Sequence, residues 1–219
     1  MQLRFSPVAG CRPRIRVCTE RGFTLVELIV TIALLSVLVG LASPSFSQWI
    51  RSAQVRTVAE TLQNGVRTAQ AEALRRNRQV VFLLTNDEPG LSAEASANGS
   101  NWVIRWIPMP GDTVVAAAPD NQPFVQGGAV ADFAGGVNIT GPAAICFNAL
   151  GRRVAATAAA TGVTGAVCTV DADEPLAAFQ IERAGAARPL RVTVALGGQV
   201  RLCDPARTVG ATTPDGCPA

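Results

Sequence analysis

The sequence predicts an α+β protein: one long N-terminal helix, transmembrane in its first half and amphipathic in its second, packed on a β-rich globular head. Three observations carry that prediction. Residues 23–42 form an apolar run about long enough to cross a bilayer as a helix. Beyond it Val55, Val58, Ala59, Leu62, Val66, Ala69 and Ala73 recur in steps of three and four, which draws one apolar stripe on a helix. From Gln79 the period changes to that of strands. The expected organisation is a segment 1–22 ahead of the apolar run, a helix over 23–76 and a head over 77–219.

The apolar run sets the orientation of the rest. Arg12, Arg14, Arg16 and Arg21 crowd its N-terminal side, and no acid precedes Glu20. That asymmetry places the N-terminus in the cytoplasm and the chain beyond the run outside. Glu27 breaks the pattern, because a carboxylate inside a membrane helix costs roughly 2.5–3.5 kcal/mol on insertion-type scales. A chain that keeps it needs something to offset the cost. A secretory signal peptide with Gly40-Leu41-Ala42 as its cleavage site is one alternative, but the run exceeds the usual 7–15-residue apolar region and leaves Glu27 without a use. A plain single-span anchor is the other.

Gly22-Phe23-Thr24-Leu25-Val26-Glu27 resembles the processing site of type IV pilins and of the pseudopilins of type II secretion. The resemblance implies a pilin-like fold and a precursor cut by a prepilin peptidase. Gly22 would be the last residue of a leader 1–22, and Phe23 the methylated new N-terminus. Glu27 would be the carboxylate that pairs with the free amine of a neighbouring subunit, and Pro44 matches the helix-kinking proline of many members. It further implies other pilin or pseudopilin subunits as partners through the N-terminal helix. The chain would be a single-pass protein of the bacterial inner membrane with its head in the periplasm, entering a filament on assembly.

Composition narrows the chemistry. The chain has no His, so Ser-His-Asp and Cys-His catalysis and imidazole metal sites are excluded. All 19 basic residues are Arg, which removes Lys-based chemistry, and there is no Tyr. No carboxylate pair is framed by an apolar pocket pattern. The expectation is a protein that is not an enzyme and uses no cofactor and no metal. Residues 1–22 hold five arginines and one acid, so of the formal +3 charge the leader carries +4 and the remainder −1. Such a balance gives no global basic footprint for nucleic acid.

Cys11 and Cys18 fall in the leader, whereas Cys146, Cys168, Cys203 and Cys217 fall beyond the membrane, where disulfides form. Four cysteines allow three connectivities. Cys203–Cys217 and Cys146–Cys168 are preferred because each pair is local and spans turn-rich sequence. A four-cysteine zinc site is the alternative, and the absence of a C-x₂-C spacing weighs against it.

Taken in order, the helix is expected to end near Arg76, with Arg75, Arg76 and Arg78 suited to its C-terminus. Over 23–76 it would run roughly 80 Å at 1.5 Å per residue. Pro44 should bend it, and Trp49 and Arg51 follow as interfacial anchors. Strands are expected at 79–85, 102–107, 137–140, 144–148, 152–155, 166–170 and 176–183, with loops at 86–101, 108–123 and 155–166. A terminal hairpin is legible in Leu190, Val192, Val194 and Leu196, followed by Val200 and Leu202. A three-residue loop Gly197-Gly198-Gln199 would pair Leu196 with Val200 and Val194 with Leu202 on one apolar face, leaving Arg191 and Arg201 on the other. A two-residue Gly-Gly turn would mix the faces.

Stem, head and hairpin together look like the GspH/FimT branch, which supplies minor pilins and minor pseudopilins. In members that support DNA uptake, a Gly-Arg-x-Arg motif near the C-terminus is implicated in DNA binding. Gly198-Gln199-Val200-Arg201 occupies the matching positions, with Gln199 where the first arginine stands. Arg188, Arg191 and Arg207 are nearby sources of charge, with Arg152 and Arg153 as a further group. Two functions follow: a minor pilin or pseudopilin at or near the tip of a type IV pilus or type II secretion pseudopilus, or a pilus-tip DNA receptor for natural transformation.

Overall fold

The computed structural model describes residues 23–109, 112, 122–171 and 175–218, apart from the side chains of 41–44. Gly22, Cys11, Cys18 and most of the 108–123 stretch lie outside the described residues. So does the side chain of Pro44, and the expected kink with it. The chain divides into two units, Met1–Ser43 and Pro44–Ala219.

A helix α1 runs over Leu25–Arg76. Its start follows from Thr24, whose hydroxyl accepts from the Glu27 N–H at 3.2 Å while its carbonyl accepts from Leu28 N at 3.1 Å. Its end is a Schellman motif. Asn77 takes φ 51°, its N–H donates to Leu74 O, and Arg78 N donates to Ala73 O. The stripe from Val55 to Ala73 is buried throughout, as its period requires.

The head holds two five-stranded sheets. Strands β1 (Val80–Thr85), β2 (Asn101–Trp106), β3 (Phe124–Gly128), β5 (Ala144–Phe147) and β6 (Arg153–Val154) form the first, in the order β3-β2-β1-β5-β6. The second contains β4 (Val137–Thr140), β7 (Leu176–Arg183), β8 (Leu190–Ala195), β9 (Val200–Thr208) and β10 (Gly216–Cys217), in the order β10-β9-β8-β7-β4. All pairings are antiparallel except β9 with β10. Short helices α2 (Val130–Phe133) and α3 (Ala158–Thr161) complete the elements.

One core joins the α1 stripe to a face of each sheet, and Phe82 is its hinge of contact. Its ring stacks on Trp102 and meets Phe179 edge-on, both at 5.7 Å between centroids. β1 is buried at all six positions, because a second, smaller core around Val81, Leu83 and Cys146 covers its other face. A strand buried on both sides carries no alternation, which is why Val80–Leu84 reads as a continuous apolar run.

The head departs from the sequence reading in four places. The 155–166 run is not featureless. It bridges Ala156 to Cys168, forms α3 with Thr157 Oγ1 accepting from Ala160 N, and lays Val163 and Ala166 into the outer core. The strand expected at 166–170 is only that bridge. β3 went unseen because none of its residues is fully buried, so it shows no period. Finally, the hairpin register lies two residues from the expected one, pairing Val194 with Val200 and Val192 with Leu202. The loop does have three residues, but they are Leu196, Gly197 and Gly198. Gly198 N donates to Ala195 O, and Ala195 N donates to Gln199 O. Gly198, at φ 88°, takes the left-handed position that closes such a loop. A shift of two preserves the faces, so the apolar side still meets the core.

Candidate functional site

At the N-terminal end, Phe23 is 83 % exposed and the large apolar side chains from Leu25 to Val39 are exposed along the helix. Glu27 occupies the third helical position, where a carboxylate also opposes the helix dipole. Thr24-x-x-Glu27 is the spacing of a capping box, and its Thr24 half is formed, the hydroxyl accepting from the Glu27 backbone N–H. Among the described residues no single helix is long and apolar enough to cross a membrane; Leu25–Gly40 and Ser45–Arg76 meet that test together.

The four distal cysteines pair as Cys146–Cys168 and Cys203–Cys217. The first pins the 156–168 segment onto the outer face of the first sheet. The second ties β9 to β10, closing a loop worth roughly 3 kcal/mol in the chain-entropy model. No group of ligating residues that could hold a metal occurs among the described residues.

The C-terminal arginines do not form one open patch. Arg188 Nη1 donates to Asp204 Oδ2 at 3.2 Å, and Arg207 Nη1 donates to Asp215 Oδ2 at 3.2 Å. Asp204 is buried and lies 3.9 Å from Arg207 as well, so one carboxylate stands between the two guanidiniums. Arg191 Nε donates to Gln180 Oε1 at 3.0 Å, and Arg191 is half-buried. Arg201, half-buried beside Thr193, has no ion pair among the described residues, and Gln199 is exposed. Arg152 is exposed, whereas Arg153 is only 8 % exposed and unavailable as a phosphate contact. Its guanidinium donates to Pro175 O, Val194 O and Thr169 O, which locks β6 to β8 and to the approach of β7.

The structure also shows a feature that sequence reading missed. A groove of about 500 Å³ lies along α1. Trp49, Ala53 and Arg56 form its helical wall. Ala187, Arg188 and Leu190 form the opposite wall, over a floor containing Leu202 and Cys203, with Asp204 and Asp215 at the edge. Ser52 latches the two walls together: its hydroxyl donates to Gln48 O and accepts from Ala187 N, both at 2.9 Å. No local sequence pattern announces this groove, because its walls come from segments more than 130 residues apart.

A helix apolar and exposed in its first part, whose later stripe from Val55 to Ala73 packs under a disulfide-stapled β head, defines a pilin-like protein. The prokaryotic N-terminal methylation motif matches residues 18–43, and the type II transport protein GspH matches residues 58–201. The second match spans well over half the chain, and the chain belongs to the GspH family. The fold is also similar to the type IV minor pilin FimU of Pseudomonas aeruginosa in two crystal forms. These share 16 % identity with the chain, at TM-scores of 0.44 and 0.42. The likeness covers 75 % of this chain and 96 % of that one in the first form, and 74 % and 98 % in the second. No curated protein matches the sequence. The methylation motif and helix fit a membrane-anchored pilin that assembles into filaments with other pilin subunits.

Proposed function

We propose that the chain is a minor pilin or pseudopilin made as a precursor with leader 1–22. A prepilin peptidase cuts it between Gly22 and Phe23, and Phe23 is methylated. It then waits in the bacterial inner membrane as a single-pass protein with its head, 77–219, in the periplasm. From there it enters a type IV pilus or a type II secretion pseudopilus at or near the tip. It acts as a structural subunit, without a catalytic reaction. The observation that carries this reading is the run of exposed large apolar side chains from Phe23 to Val39, interrupted by one carboxylate at Glu27. A surface of that kind is stable only under lipid or under other subunits.

Mass spectrometry of protein from the native membrane should find a chain that begins at methylated Phe23 and lacks Cys11 and Cys18. A mature N-terminus at Ser43 would remove the reading. Deleting the gene assigns the filament: lost surface pili mark a pilus, whereas exoproteins trapped in the periplasm mark a secretion pseudopilus. The DNA-receptor alternative rests on the hairpin arginines. It gains little from their geometry, since Arg188 and Arg207 already hold carboxylates.

A further inference from the structure

We propose that, before assembly, the groove beside α1 holds the headgroup of a phospholipid that carries both a phosphate and an amine, its acyl chains running over Trp49 and Phe46. This rests on the single-pass membrane reading above and adds a specific lipid to it.

The groove is graded along the helix as a phospholipid is graded along its length. Phe46, Trp49, Ala53 and Arg56 follow one another at steps of three, four and three, so they line one side of α1. Phe46 and Trp49 are exposed and stack on each other at 6.0 Å. Such rings suit the boundary between hydrocarbon and headgroups. Past them the groove is apolar at Leu190 and Leu202 and charged at its rim. With Trp49 at the edge of the hydrocarbon, Arg56 stands about 10 Å farther along the helix. That is comparable with the roughly 5–8 Å depth of one headgroup layer. The site is also preformed, because the Ser52 hydroxyl holds the two walls together through Ala187 N at 2.9 Å.

The charges decide the class of headgroup. Those lining the groove are Arg56, Arg188, Asp204 and Asp215, two of each sign. A balanced rim exerts no net pull on a purely anionic lipid, but it offers a partner to each end of a zwitterion. Arg56 and Arg188 stand on opposite walls, and both are exposed. Each spends one N–H on a carboxylate, Arg56 Nε on Glu60 at 2.8 Å and Arg188 Nη1 on Asp204 at 3.2 Å. The remaining donors of each fork suit phosphate oxygens. Asp204 is buried, so the carboxylate within reach of an ammonium is Asp215, which is exposed and accepts from Arg207 through one oxygen at 3.2 Å. Its other oxygen is the acceptor left for the amine.

The test takes the full-length chain from native membranes into mild detergent. Native mass spectrometry then reads its adducts with phosphatidylethanolamine or phosphatidylglycerol of identical acyl chains, added at equal concentration. One phosphatidylethanolamine should be retained at least fivefold above phosphatidylglycerol. Asp215→Asn removes the acceptor for the amine and should bring the two lipids within twofold of each other. Ala53→Trp fills the groove from an exposed position and should lower phosphatidylethanolamine retention at least fivefold, with the thermal midpoint unchanged. Equal retention of both lipids by the unaltered chain, or retention that neither variant alters, marks lipid held around the apolar helix and overturns the proposal. Occupancy in cells is read from benzoylphenylalanine at Ala187, an exposed position on the far wall, in a host lacking the other pilin-type subunits. Irradiation should yield phospholipid adducts at least tenfold above those from Ala159, exposed on α3. Adducts to protein alone, or yields no higher than at Ala159, would overturn it. Carbonate extraction separates the two readings: a chain washed from the membrane fails the anchoring itself, whereas a resistant chain without groove lipid fails this proposal alone.

Discussion

At residue 27 a local position in the first helical turn and a proposed role in assembly fall on one carboxylate. The third position of a helix favours an acid, and the Thr24 hydroxyl already serves the Glu27 N–H. An amide can fill that local role, so Glu27→Gln separates it from a charge partnership in assembly. We expect Glu27→Gln and Glu27→Ala both to insert in the membrane as well as wild type or better, since a buried carboxylate is costly. Both should be lost from sheared filaments. Incorporation of the Gln variant at the wild-type level would show that assembly does not need the Glu27 charge. A second position tests packing instead of charge. A Cβ at Gly65 would lie 3.1 Å from the Phe82 ring and 3.2 Å from the Trp102 ring. Gly65→Leu has to displace both and should cost about 1–3 kcal/mol. In thermal unfolding of the head that is a fall of roughly 3–10 °C. An unchanged midpoint would mean that the helix can move off the rings freely.

Among the elements, legibility followed burial. The α1 stripe was readable because one face is buried and the other wet, so period and packing coincide. β1 was readable as a strand, but its burial on both faces depends on a segment some 75 residues later that shows no period of its own. The hairpin faces were readable from alternation, whereas its register was decided by which glycine takes the left-handed position. The paired arginines were not readable at all, since Asp204 meets Arg188 only across the β8–β9 hairpin and Asp215 meets Arg207 only once the tail folds back. With those partners in place, we expect the isolated head to bind duplex DNA too weakly to detect at physiological salt, against the 10⁻⁴–10⁻⁶ M common for nonspecific binders. Binding in that range, lost in Arg201→Ala, would revive the receptor reading. The end of α1 gives a pH prediction. The hydrogen bond from Arg75 holds the Glu72 carboxyl below its usual range; burial pushes the other way, and the Arg76 hydrogen bond adds to the lowering. A depressed acid contributes stability that is present above its unfolded pKa, about 4.3, and fades as pH falls through the lower folded value. Arg75 is largely exposed, so solvent screening keeps the contribution small. Glu72→Gln should therefore be less stable than wild type at pH 7, with the gap closing by pH 3. A gap of constant size would assign the loss to packing.

For the whole molecule, no described residue before Val55 belongs to either core, so the head should fold without the apolar helix. A chain starting at Arg51 keeps the full stripe from Val55 to Ala73 and omits the exposed Phe46 and Trp49. We expect it to be monomeric and cooperative in unfolding, whereas the chain from Phe23 requires detergent. The two disulfides act on different parts of that head. Cys146–Cys168 holds the cover of the first sheet, and Cys203–Cys217 holds the tail against β9 at the edge of the second. Each is expected to contribute about 2–4 kcal/mol. Cys203→Ser with Cys217→Ser frees an edge strand and leaves both cores in place, so its effect should stay within that range and the far-ultraviolet spectrum should persist. Cys146→Ser with Cys168→Ser lets water reach Val81, Leu83 and Val103, and it should cost more than the crosslink alone. At roughly 2–4 °C per kcal/mol, reduction of both bonds should lower the midpoint by about 10–25 °C. Hydrogen exchange locates the damage. Loss of protection confined to 200–217 in the first variant, and spread through β1, β2 and β5 in the second, is the expected pattern. The reverse pattern would mean that the tail, and not the 156–168 cover, supports the first sheet.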